Sequence, residues 1–314
     1  MNKFFTILLI ITLLGLTLGT YHYYTYMQNT ITIGYLPTEH DSALFVADYK
    51  NMYQSEGINV RLVPYSNGAD MVKGLKSGQI DVGYCGVVPV ISAVGKGDPL
   101  KIIASVNEEG SAIVVKKGSN ITNISDLKNK RIAVPNNGSV QAGLLDYVLL
   151  ENNITLNDVN ITEVESSYMT QDLALNKIDA FMGWEPYPST AEYENVGTVL
   201  EYSGDIWNKH PCCVIVTTEN YSASHTAILK KFLEVHSNAT DYVNNHKDET
   251  AEIVSKKLGT NEEVIDEGLK HIQFDSNLST TFVDNVMKFV YVQQKLGYLK
   301  NNLTESQLFN FDLT

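Results

Sequence analysis

The sequence predicts a two-lobed α/β fold with a ligand cleft between the lobes. Three observations carry that prediction. From residue 31 on, short β-branched runs alternate with amphipathic helical stretches, the order that builds a mostly parallel sheet covered by helices. The alternation reaches a fourth strand near residue 106 and restarts at residue 112. After residue 217 only helical patterns remain, so the chain reads as returning to its first unit and finishing there.

The first unit is expected to open with a strand at 31–35 and a helix at 42–55, whose Leu44, Phe45, Tyr49 and Met52 share a face and which Gly57 closes. A strand at 59–64, a helix at 70–76 stopped near Gly78, a strand at 81–84, a helix at 89–95 and a strand at 100–106 complete it. The second unit runs through strands at 112–116, 131–134, 160–164 and 180–183. Between them lie a short helix from 124 with Ser125 as its cap, a helix at 140–152 capped by Ser139, and a helix at 169–176. A last β-branched strand follows at 212–217, then helices at 227–246, 249–258, 262–271 and 281–296. Segments 113–117 and 214–218 are expected to cross between the lobes as paired hinge strands. The resulting division is an N-terminal segment over 1–26, the first lobe over 31–112 and again over 218–314, and the second lobe over 113–217.

The N-terminal segment carries its own signal. Lys3 precedes an apolar run over 4–19, and no Lys or Arg recurs before Lys50. A cation stays on the cytoplasmic side while an uncharged flank crosses, so everything after residue 20 is expected outside. Tyr21, Tyr23, Tyr24 and Tyr26 follow as an interfacial belt would. The run suits either a retained anchor or a cleaved signal peptide; without a Cys before Cys85, a lipid-modified N-terminus is not expected.

Composition narrows the function. The 314 residues carry 23 Lys+Arg against 36 Asp+Glu, a formal charge of −13 that argues against nucleic acid and anionic lipid as partners. Cys85, Cys212 and Cys213 make no disulfide framework and are expected as buried thiols. Nine Asn-x-Ser/Thr sequons are compatible with an outside location. Metal-ligand spacings, nucleophile elbows and phosphate-binding Gly loops with Lys are absent, so neither a metal nor a cofactor is expected.

Three patterns stand where a strand gives way to a helix: 34–40 (GYLPTEH), 77–86 (SGQIDVGYCG) and 126–139 (DLKNKRIAVPNNGS). Such junctions present unpaired N–H groups at the carboxyl ends of strands, where ligands of open α/β sheets bind. On these residues the chain resembles the periplasmic-type solute-binding proteins of ABC importers over about 31–300, within them the nitrate/sulfonate/taurine group and the related thiamine-pyrimidine-precursor proteins. The resemblance implies the periplasmic-binding-protein-like type II fold, with ABC permease and ATPase subunits as partners. It also implies a monomer and no catalysis.

It places ligand contacts on Leu36, Pro37, Thr38 and His40, then on Tyr84, Cys85 and Gly86. From the second lobe it adds Asn137, Gly138 and Ser139, then Trp184, Glu185 and Pro186, and finally His210 beside Pro211. Each also has a structural role open to it: a cap for Ser139, turns for Gly86, Gly138 and Pro211, packing for Tyr84, Trp184 and His210.

The two solute classes stay open. Arg61 and Arg131 are the only arginines and neither lies in a proposed ligand loop, so an oxyanion would rely on backbone amides, helix dipoles, Thr38, Ser139 and a His. Tyr84, Trp184, His40 and Glu185 equally suit a flat heteroaromatic or an amine. Two other functions are weighed. Pyrimidine-precursor synthases share this fold, but Cys212-Cys213 is shorter than their Cys-rich, metal-linked segment. A membrane-anchored sensory module is permitted by the N-terminal segment, although the chain shows no signalling domain.

Overall fold

The computed structural model describes residues 29–313 and, before them, only Thr12, Leu13, Thr17, Gly19 and Thr20. Most of the expected anchor over 1–26 lies outside the described residues. Among those described, no helix is long and apolar enough to cross a membrane.

Among the described residues, eleven strands form two sheets. They are β1 (Thr30–Tyr35), β2 (Asn59–Pro64), β3 (Val82–Gly86), β4 (Leu100–Glu109), β5 (Ser111–Lys116), β6 (Arg131–Val134), β7 (Asn160–Glu163), β8 (Ala180–Trp184), β9 (Gly197–Tyr202), β10 (Pro211–Thr218) and β11 (Ile272–Phe274). The first sheet has the order β11-β4-β10-β3-β1-β2 and the second β7-β6-β8-β5-β9. The expected alternation is present, and four of six strands in the first sheet and four of five in the second run in one direction, but both sheets are mixed: β10 and β11 are reversed in the first and β5 in the second. β10 runs antiparallel to both β3 and β4, and β5 antiparallel to both β8 and β9.

The same pairing corrects the hinge. Segments 113–117 and 214–218 do not pair with each other: the first lies inside the second sheet and the second inside the first. The chain crosses at Gly110, between β4 and β5, and returns through 203–210, between β9 and β10. Three further expectations shift. The helix expected over 42–55 is broken where Asn51 takes a left-handed conformation, leaving Ser42–Tyr49 and Met52–Ser55. β9, unmarked by sequence pattern, edges the second sheet. The short β11 interrupts the run of closing helices by pairing with β4.

The lobes clasp through apolar packing near the return crossing. Trp207 lies 4.5 Å from the ring of Phe289 and 5.2 Å from that of Tyr147, with the Lys288 ammonium 4.0 Å above its face. Tyr147 belongs to the second lobe's helix Val140–Glu151; Phe289 and Lys288 belong to the first lobe's helix Thr280–Lys295. Contacts of this kind contribute about 0.5–1.5 kcal/mol each beyond area burial.

Gly110 is a position only glycine suits. Its φ is +83°, and an added Cβ would stand 2.5 Å from His40 Nε2. Gly118 shares a positive φ of +74° but has open space around it. Gly110→Ala should therefore lose more stability than Gly118→Ala, which meets only the left-handed backbone cost of roughly 1–2 kcal/mol. Urea unfolding of both variants measures the gap; equal losses would show that the His40 ring does not crowd the crossing.

Candidate functional site

Where the lobes face each other they leave a void of about 420 Å³ counting its mouth, of which only about 30 Å³ admits the centre of a water. That is room for roughly two waters, so the cleft is nearly shut. Its lining comes from both lobes: Leu36, Thr38, His40, Asn67, Gly68, Gly86, Pro89, Cys212 and Cys213 from the first, Asn136, Ser139, Val140, Gln141 and Trp184 from the second.

The loop after β1 is held rigid. Thr38 accepts from the His40 N–H at 3.4 Å and donates across the cleft to the Glu185 carbonyl at 2.8 Å. Asp41 accepts from the Leu36 N–H at 3.0 Å, and Ser42 donates to the Glu39 carbonyl at 2.5 Å. These bonds aim the His40 ring at the crossing, where Nε2 donates to the Gly110 carbonyl at 2.9 Å. The Glu185 N–H donates to that same carbonyl at 3.0 Å.

Three helices begin at the cleft wall. Their N-caps Asn67, Gly86 and Ser139 all line the void, ahead of helices Gly68–Ser77, Val87–Gly95 and Val140–Glu151. Asn67 takes the Asp70 N–H and Ser139 the Ala142 N–H; other first-turn N–H groups have no partner within their own helices. Gln141 reaches back to Ser111 Oγ at 2.9 Å, tying the third helix to the crossing.

Of the residues expected from sequence, Leu36, Thr38, His40, Gly86, Ser139 and Trp184 come together on the lining. The others stand apart for identifiable reasons. Tyr84 is fully buried and donates to His236 Nδ1 at 3.1 Å, while His236 Nε2 donates to the Ser105 carbonyl at 2.8 Å. Cys85 sits behind the wall, its thiol on the Gly68 carbonyl at 3.7 Å and pushed up to about 12 by burial. Asn137 and Gly138 lie exposed on the outer rim, with the Asn137 N–H on Glu163. Pro37 and Pro186 line a neighbouring groove with Tyr187. Glu185 is turned into the protein, accepting from the Ser189 N–H at 3.1 Å. His210 packs edge-on against Phe289.

Sequence reasoning missed Asn67, Gly68, Pro89, Asn136, Val140, Gln141, Cys212 and Cys213. The first two follow strand β2 into a helix, so the rule used for the other three junctions would have found them.

Titratable groups behind the lining are strongly perturbed. Burial raises Glu39 well above the usual carboxylate range, and the neighbouring Glu185 raises it further. Burial likewise raises Asp41, against the Leu36 N–H bond that lowers it, and brings Glu185 to about 7. The Cys212 thiol is pushed down, first by the hydrogen bond it accepts from Cys213, then by His40. Cys213 is correspondingly pushed up by donating that bond and by burial. Burial alone would lower His40, yet the charge and hydrogen bond of Cys212 leave it raised.

A cleft between two α/β lobes, ringed by helix N-termini and reached by two chain crossings, defines a two-lobed solute-binding fold. The structure overlays with a TM-score of 0.81 and 19% identity on the ligand-binding component of an ABC-type import system from Staphylococcus aureus, solved with zinc bound, covering 91% of this chain and 97% of that one. At that identity the likeness carries the fold alone. Residues 26–259 match the NMT1-like family, and the chain belongs to it. A putative aliphatic sulfonates-binding protein of Bacillus subtilis is 26% identical over 76% of this chain and 71% of its own length. The nitrate import ATP-binding protein NrtC of Synechocystis is 27% identical over 76% of this chain, which spans only 39% of that longer protein.

Glu185 gives a pH test. Its carboxyl ionises near 4.5 ordinarily and about 7 in the fold, so the folded state is penalised progressively from pH 4.5 to 7 and fully above. The penalty is at most roughly 3 kcal/mol. Glu185→Gln keeps an acceptor for Ser189 and cannot ionise. Its melting temperature relative to wild type should be markedly higher at pH 8 than at pH 5; the same difference at both pH values would show that Glu185 does not titrate inside the fold.

Proposed function

We propose that the protein is the extracytoplasmic solute-binding component of an ABC-type importer. It captures a small oxyanion-bearing solute of the sulfonate or nitrate class between its lobes and hands it to permease and ATPase subunits, without making or breaking bonds. The observation that carries this reading is the convergence of three helix N-termini, from both lobes, on one nearly shut cleft. Helix starts supply N–H donors and partial positive charge, the features that hold an anion where no Lys or Arg lines the wall. The sulfonates-binding and nitrate-import relatives point the same way.

Closure supplies the selectivity. A solute bridging N–H groups of both lobes favours the shut state by the contacts it gains only there. The N-terminal segment would hold the protein at the outer face of the membrane, or be removed as a signal peptide, and the working unit would be a monomer. One observation favours a second solute class: Trp184 is part of the lining, and an indole can pack against a flat heteroaromatic such as a pyrimidine.

The test is a thermal-shift and calorimetric screen of the full chain against taurine, alkanesulfonates, nitrate, bicarbonate and pyrimidines. The oxyanion class should raise the melting temperature by mass action, about 2.7 kcal/mol of stabilisation at 100 Kd. A shift with pyrimidines alone would replace the oxyanion reading with the heteroaromatic one, and covalent conversion of any solute would overturn binding without chemistry. Trp184→Ala should weaken binding about tenfold, or about 1.4 kcal/mol, with the solute-free melting temperature nearly unchanged. Normal affinity in that variant would remove Trp184 from the site.

A further inference from the structure

Cys212 and Cys213 are neighbours on one strand, and neighbours on a regular strand point to opposite faces. Here the register of β10 against β4 slips between Pro211 and Cys213 and again between Cys213 and Val214. The slips bring both thiols to the same side, toward His40. Cys212 Sγ stands 3.3 Å and Cys213 Sγ 3.7 Å from His40 Nδ1, and the two sulfurs are 3.9 Å apart. A carbonyl oxygen can only accept, so the bond to Gly110 puts a proton on Nε2 and leaves the Nδ1 lone pair of the neutral ring facing the sulfurs.

We propose that His40 Nδ1, Cys212 Sγ and Cys213 Sγ bind a thiophilic closed-shell cation, Zn(II) or Cu(I), with one coordination position open to the cleft. The spacing fits. With metal–sulfur bonds of about 2.3 Å and metal–nitrogen bonds of about 2.0 Å, tetrahedral angles set sulfurs about 3.8 Å apart and sulfur from nitrogen about 3.5 Å. The three atoms already stand near those separations. Thiolate and imidazole donors select Zn(II) and Cu(I) over hard cations. The backbone carbonyl on the far nitrogen of the ring is the outer-shell partner that metal-bound histidines use to fix tautomer and orientation. All three side chains are almost fully buried yet line the void, so the remaining coordination position faces the space where a solute would enter. This goes beyond the solute reading, because the ion is held whether or not a solute is present.

The experiment uses the full chain, chelator-stripped, reduced and anaerobic. It is titrated with Co(II) as a spectroscopic probe, with Zn(II) against a chromophoric chelator, and with Cu(I) against bicinchoninate. One equivalent of Zn(II) or Cu(I) should bind, and Co(II) should give a thiolate-to-metal charge-transfer band in the near ultraviolet. Cys212→Ser and Cys213→Ser should each lose at least about 100-fold in affinity, since outer-shell changes alone cost roughly 10–100-fold. His225→Ala, on a residue away from the cleft, should bind as wild type. Serine is close in size to cysteine, so the metal-free melting temperatures of the variants check that folding is intact. Absence of stoichiometric Zn(II) and Cu(I) binding together with no thiolate band would overturn the proposal. So would binding that survives in the Cys212→Ser/Cys213→Ser double variant. No solute is needed, so failure of the transport reading would leave this result standing, and the reverse.

Discussion

One backbone carbonyl, that of Gly110, joins the three segments that make the cleft. It accepts from His40 Nε2 on the loop after β1 and from the Glu185 N–H after β8, and it sits at the point where the chain passes from one sheet to the other. Because the residue carrying it is a glycine at φ +83°, the carbonyl can turn toward both donors while the His40 ring packs where a side chain would otherwise stand. The crossing, the cleft floor and the far wall are thereby held in one register. The direction of the His40 ring, and so of its Nδ1, follows from this contact.

The electrostatics of the cleft follow from burial. Glu39, Asp41 and Glu185 stand close behind a lining without Lys or Arg, and ionised they would repel an anion and destabilise the fold. Desolvation raises all three, so they carry less negative charge than free carboxylates would, and the partial positive charge of the helix starts is less opposed. Beside the return crossing, Trp207, Tyr147, Phe289 and Lys288 also tie the lobes together. Opening must therefore rearrange this aromatic packing as well as the cleft contacts.

Much of the fold was legible in the sequence because it rests on local periodicity. The strands at β1 to β4 and β6 to β8 and the long closing helices stood near their expected places. Strand direction was not legible: which strand lies beside which is decided by the crossings, and the antiparallel insertion of β10 between β3 and β4 leaves no periodic mark. The site was half legible for the same reason. Leu36, Thr38, His40, Gly86, Ser139 and Trp184, which the family resemblance placed in the ligand loops, do line the cleft. Tyr84 resembled a cleft aromatic, but strand alternation alone does not tell which of two buried faces it takes; the partner His236 lies on a distant helix. Cys212 and Cys213 were expected only as buried thiols, because three cysteines make no disulfide framework. The register slips that bring them together arise from pairing with β4, which residue order does not encode.

The central claim is that the lobes move as units to enclose a solute. Small-angle X-ray scattering of the full chain, taken through a titration with the solute found to stabilise it, tests this most directly. The account predicts a radius of gyration that falls and saturates at the same solute concentration as calorimetric binding, ending at the value calculated for the shut structure described above. Saturable binding with an unchanged radius of gyration, already equal to the shut value without solute, would contradict it.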